Sequence, residues 1–160
     1  MLYPILKLLH IIAVISFLGN TTTGLFWKFH ADRASDPKII AHAFEGIIRS
    51  DRWFTIPGVV VIVLAGVGTA IIGNFPILGT GWILWSIVLF SISGIVFSSK
   101  VAPLQTRIVN VARAGMETNQ MDWDLYHTLS RSWEIWGLVA LLTPVAAVIL
   151  MVLKPNLPAF

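Results

Sequence analysis

The stretch Leu9–His30, LHIIAVISFLGNTTTGLFWKFH, decides how this chain is read. Outside the small and polar block Gly19–Gly24 it is apolar enough for lipid. Extended outward, the run covers Ile5 to Trp27, longer than the ~20 residues that cross a hydrocarbon core. Three more runs follow the same pattern: Trp53–Ile72, Trp82–Ser99 and Ile135–Leu153. All are apolar on every face, which excludes the alternation of a membrane β-barrel. The expected fold is all-α, an integral membrane antiparallel four-helix bundle. It forms a single domain over 1–160, with its helices extended beyond the bilayer into the cytoplasm.

Composition agrees. The chain is 56% hydrophobic and 12% charged, with a mean hydropathy of +0.81. Soluble domains carry about 25% charged residues. There is no cysteine, which excludes disulfides and thiolate metal sites. The net charge of +3 includes no basic run, so nucleic acid is not an expected partner; the lipid bilayer is. The first apolar run continues past the ~7–15 residues of a signal peptide, and no A-x-A site follows it. It is expected to stay as a membrane helix.

Charge asymmetry orients the spans. Of 11 Lys and Arg residues, only Lys7 and Lys154 fall on the side of the termini and the Gly73–Gly81 turn. The connections 28–52 and 100–134 carry the rest and all eight acidic residues. The positive-inside rule places those connections in the cytoplasm and both termini outside it.

The connections themselves read as helical. Asp36 is an expected N-cap with Pro37 at the first helical position, and Ile39, Ile40, Phe44, Ile47 and Ile48 follow at helical spacing. QTRIVNVARAG continues the third helix, with Gly115 as its expected stop, and Asp122 caps the approach to the fourth. Pro57, Pro103 and Pro144 predict kinks or local breaks. Trp27, Trp53, Trp82, Trp85, Trp133 and Trp136 read as an interfacial belt. The rows Gly66/Ala70 and Gly94/Ser98 predict close helix packing.

His10 is the outlier of the first span, about five residues inside the membrane edge, or ~7–8 Å. An ionisable side chain at that depth is a functional hypothesis; a neutral imidazole bonded to a backbone carbonyl is the structural alternative. At 100° per residue, Phe17, Thr21, Gly24 and Lys28 lie within ~40° of its direction. An imidazole, a ring, a hydroxyl and a gap on one stripe suit a flat macrocycle, and imidazole is a standard axial ligand of haem iron. No other histidine reaches the depth of His10, so the iron is expected to be five-coordinate or to use Met151, on the outer half of the fourth span. Asn20, Thr22 and Thr23 point elsewhere, toward the preceding turn or neighbouring helices.

His30, His42 and His127 form a separate group at the other side, with Glu45 three residues from His42 and Glu134 seven from His127. Such a set can make a metal site between bundle helices. Its H-x-x-E order differs from the E-x-x-H of di-iron bundles, and the basic residues around it favour a layer of ion pairs. Arg49, Arg52, Arg107 and Arg131 are candidates to hold propionates or lipid headgroups, or to act as boundary anchors.

The segments LKLLHIIAVISFLG, FWKFHADR, DRWFTIPGVVVIVLAGVG and ILMVLKP resemble a bacterial family of small integral membrane proteins of unknown function. They are also distantly similar to HemJ-type protoporphyrinogen oxidases and to copper-resistance D-type membrane proteins. The resemblance implies a bacterial inner membrane location. From the HemJ-type proteins it implies a first-helix histidine tied to haem b, which maps onto His10. Their lysine near the start of the third span has no counterpart in GWILWS, Gly81–Ser86. That departure speaks against protoporphyrinogen oxidation more than against haem.

Three functional readings follow. One is a small haem b protein passing electrons, as an oxidoreductase, to quinone or a redox partner protein. Another is a cofactor-free subunit or transporter component, packed in a homo-oligomer or a larger membrane complex. The third is metal handling at the histidine group, although the Met-rich or Cys clusters expected for copper transfer are missing.

Overall fold

The computed structural model describes all residues, 1–160. It is all-helical. Helix α1 spans Leu2–Ala34, α2 Pro37–Ser50, α3 Ile56–Ile72, α4 Gly81–Val96, α5 Ala102–Thr118 and α6 Trp123–Leu153. A π-helical turn, Asp51–Thr55, joins α2 to α3, and another, Phe97–Val101, joins α4 to α5. Four long rods result, each long and apolar enough to cross a membrane. At 1.5 Å per residue the 33 residues of α1 reach about 50 Å, well beyond a ~30 Å hydrocarbon core.

Each π turn has a chemical cause. Pro57 and Pro103 lack the N–H that would close the preceding α-helical turn. The chain inserts one residue and bonds i to i+5 instead: Ile56 N–H to the Asp51 carbonyl, and Ala102 N–H to the Phe97 carbonyl. The breaks expected at these prolines are therefore π turns. Pro144 differs, because α6 runs through it without interruption. Its ring leaves the Ala140 carbonyl without a helical partner, and the Ser93 hydroxyl of α4 donates to that carbonyl at 2.6 Å. A neighbouring helix thus satisfies the freed group inside the bilayer. Ser93→Ala should lower the unfolding free energy by about 1 kcal/mol, read as an earlier midpoint in detergent-driven unfolding.

The caps form as the sequence implies. Asp36 accepts from Lys38 N–H at 2.8 Å, and Asp122 accepts from Leu125 N–H at 3.0 Å. Gly115 does not end α5. The helix continues to Thr118, and Asn119 takes the left-handed turn with φ 53°. Gly115 is instead the bare spot onto which Met121 folds back, since a Cβ there would stand 2.8 Å from its sulfur.

The two ends of the molecule pack differently. In the half opposite the termini, the extended half, α1, α2, α5 and α6 surround one core of buried apolar residues, with Ile40, Phe44, Ile108 and Ala112 fully buried. In the terminal half, α1 packs on α3 and α4 on α6. By Cα separation, α3 nowhere comes within 8 Å of α4 or α6. The two pairs meet through side chains, chiefly Phe17 against Phe90, edge-to-face at 5.6 Å. Their outer faces, including Ile12, Ile15, Leu64, Ile95 and Leu142, are exposed and apolar, as lipid contact requires.

Glycines set the α1–α3 distance: Gly58 faces Phe17, Gly66 faces His10 and Gly68 faces Leu6. The row Gly94/Ser98 does not serve packing within the chain. Nothing lies within 4 Å of a Cβ built on Gly94, and Ser98 bonds back to its own helix. Trp133 also departs from the belt. It is 4% exposed and packs edge-on against Phe44 at 5.4 Å, whereas Trp27, Trp53 and Trp85 are exposed.

Candidate functional site

The inward stripe of α2 runs Ile40, Phe44, Ile47 and then, at the same spacing, Asp51 and Thr55 before Gly58 and Ile62. The first π turn thus carries a carboxylate and a hydroxyl into the bundle interior, both buried. Asp51 Oδ1 accepts from Asn20 Nδ2 at 3.0 Å and from Thr55 Oγ1 at 2.8 Å. Asn20 Nδ2 also donates to Thr55 Oγ1 at 2.9 Å. Asp51 Oδ2 accepts from Gln105 Nε2 of α5 at 3.0 Å. All the hydrogen-bond partners of this carboxylate are neutral, and no lysine, arginine or histidine pairs with it.

A cavity of about 30 Å³ adjoins the network, where α1, both π turns, α5 and α6 meet. Asn20, Asp51, Gln105, Gly24, Phe97 and Trp133 are among its lining residues. That volume admits a water molecule. Trp133 Nε1 is the one buried side-chain donor without a partner. Buried polar groups are normally satisfied, so an orphaned N–H at a cavity wall marks a place for an acceptor.

Toward the termini the Phe17–Phe90 pair lies less than one turn of α1 from Asn20. On the extended side, Lys28 lies two turns from Asn20 and is fully buried. Its ammonium pairs with Glu134 of α6 and with Asp32 at 2.6 Å. Tyr126 donates to Asp32, completing a layer of charge across α1 and α6. Along α1 the polar site thus lies between an aromatic contact and an ionic layer.

The residues singled out for a macrocycle are dispersed. His10 Nδ1 lies 2.9 Å from the Ile62 carbonyl, and its ring rests on Gly66. Phe17 is core, 6% exposed. Thr21 donates back to the Phe17 carbonyl. Gly24 borders the cavity, and Ile47 stands 3.6 Å from where its Cβ would be. Met151 belongs to the other helix pair, on α6. Thr21 and Gly24 thus border the cavity at Asp51, Phe17 packs at the contact of α1 with α3 and α4, and His10 is held on the Ile62 carbonyl.

The second histidine group is not assembled either. His30, His42 and His127 are exposed; Glu45 pairs with Arg113 at 2.6 Å and Glu134 with Lys28. No three His, Asp or Glu side chains converge as a metal site would require.

Asn20, Asp51, Thr55, Gln105 and Trp133 were not candidates in the sequence reading. The available signal was the interior stripe of α2, which reaches Asp51 if it is continued past Ile47. For Trp133 there was none, since an interfacial and a buried tryptophan look alike in sequence.

The family model described as "Predicted integral membrane protein (DUF2269)" matches residues 4–155. No curated protein and no solved structure matches the chain, so a similarity to HemJ-type or copper-resistance D-type proteins is not shown.

Proposed function

The chain belongs to this family of integral membrane proteins of unknown function, and from that premise we propose that it is a transporter component whose ligand site is the polar cavity at Asp51. One observation carries the reading: a carboxylate with only neutral partners and Trp133, whose N–H has no partner, line one cavity, and the Phe17–Phe90 pair and the Lys28 layer act as its two closures. Buried polar and charged groups without a compensating partner are costly, and those that persist call for a functional explanation. The π turns that border the cavity are weak points in their helices, and such turns are frequent at functional sites. The packing supports a hinge at this level, since the helix pairs meet through side chains in the terminal half and are bundled around one core in the extended half.

Nine of the 11 Lys and Arg residues cluster on the extended half. This supports a bacterial inner-membrane orientation with that half in the cytoplasm and the termini outside.

The test uses the absence of native cysteine. Spin labels on Val63→Cys and Ile92→Cys, exposed positions of α3 and α4, report the separation of the pairs. Two distance populations whose weights change in Asp51→Asn support the reading. One narrow population, unchanged in that variant, rejects it.

A second reading has one observation in its favour. With Nδ1–H donated to the Ile62 carbonyl, His10 presents a neutral Nε2 lone pair, the arrangement of an oriented ligand. A haem b held there would supply one-electron chemistry toward quinone or a redox partner. A Soret band lost in His10→Ala supports it; a colourless protein purified from haem-replete cells rejects it.

A further inference from the structure

We propose that the ligand of the Asp51 site is a proton, held on the carboxyl group beside a single buried water bound to Trp133. The inference rests on the transporter reading above and names its substrate.

The charge balance leads to it. The groups that face Asp51 are Asn20 from α1, Thr55 from its own π turn and Gln105 from α5, with Trp133 of α6 across the cavity. None titrates in the accessible range. The neighbouring charges, Arg49, Arg52, Lys100 and Arg107, are exposed on the outside of the bundle, and Lys100 lies over the Trp136 ring. Lys28 is engaged by Asp32 and Glu134. A carboxylate so enclosed needs a positive companion, because burying an uncompensated charge is costly.

A metal cation is the poorer companion. Asn20 and Gln105 turn their N–H₂ groups toward the carboxylate, and Trp133, which lines the same cavity, carries a buried N–H without a partner. Water accepts from such a donor, whereas a cation is repelled by it. Oδ1 already accepts from both Asn20 and Thr55, so Oδ2 is the oxygen that takes the proton. One O–H bond forms on Oδ2, the proton comes from hydronium on one side of the membrane, and release returns it to water on the other. No electron moves. In the protonated state Oδ2–H donates to the cavity water, which accepts from Trp133 Nε1–H.

The purified protein in lipid nanodiscs tests this by infrared difference spectroscopy. The expected result is a carboxylic C=O band at neutral pH that disappears as pH rises, is lost in Asp51→Asn, and shifts in Trp133→Phe because the shared water loses its donor. The amide of Asp51→Asn has the shape of a protonated carboxyl, so this variant should fold. If it does not, the Trp133→Phe shift still decides. A band removed by sodium at constant pH, with choline as control, would overturn the proton and leave a cation site within the transporter reading. Absence of any Asp51-dependent band across the titration would overturn the proton as well, while the spin-label distances test the transporter reading independently.

Discussion

Replacing Lys28 with methionine is expected to lower the unfolding free energy by about 3 kcal/mol, the low end for breaking a buried ion pair. The ammonium is enclosed, its side chain only 1% exposed, and it is the cation that pairs with both Asp32 and Glu134. Methionine preserves the volume but leaves two carboxylates near each other. They are 29% and 31% exposed, so water reaches them and limits the loss. The decisive control is Lys28→Met with Glu134→Leu. An apolar replacement of a buried pair is often neutral, so the double variant should recover most of the stability. Asp32 keeps its bond from Tyr126 in both. Detergent-driven unfolding monitored by circular dichroism gives both numbers.

The other large effect is expected at Phe17. Its ring is buried between Gly58, Ile62 and Phe90. Phe17→Ala opens a void at the contact that joins the two helix pairs, and core truncations of this kind cost ~3 kcal/mol or more in soluble proteins. Lipid chains can enter this gap from the side, so about 2 kcal/mol is expected. If the loss falls on the closed arrangement, the open fraction rises roughly thirtyfold. Phe17→Leu, which keeps most of the volume, should give a much smaller change in both quantities.

How much of this was legible in the sequence depends on range. The spans, the Asp36 and Asp122 caps and the helical extensions are local, fixed by apolar length and by residues two or three positions apart. His10 was also legible as an outlier, and its bond to the Ile62 carbonyl is one of the alternatives its chemistry allowed. The site was not legible, because Asp51 meets partners 31 and 54 positions away, brought together by how the rods pack. The π turns stand where kinks were expected before Pro57 and Pro103, and an ideal helix does not anticipate their extra residue. Pro144 misled for a related reason: a serine on another helix mends the break. Gly24 looked like a gap on an isolated helix, and only the neighbouring α2 shows that Ile47 stands beside it.

The measurement that bears most directly on the account is access to the Asp51 site from each side. Thr55→Cys places a thiol in the network of a chain with no other cysteine, at a position 4% exposed. The variant is reconstituted in vesicles and treated with a membrane-impermeant thiol reagent inside or outside. The account predicts slow labelling in this background. Adding Phe17→Ala should accelerate labelling only from the side of the termini, and adding Lys28→Met only from the opposite side. Labelling that stays equally slow in all three proteins, or that accelerates equally from both sides, would contradict a site held between two closures.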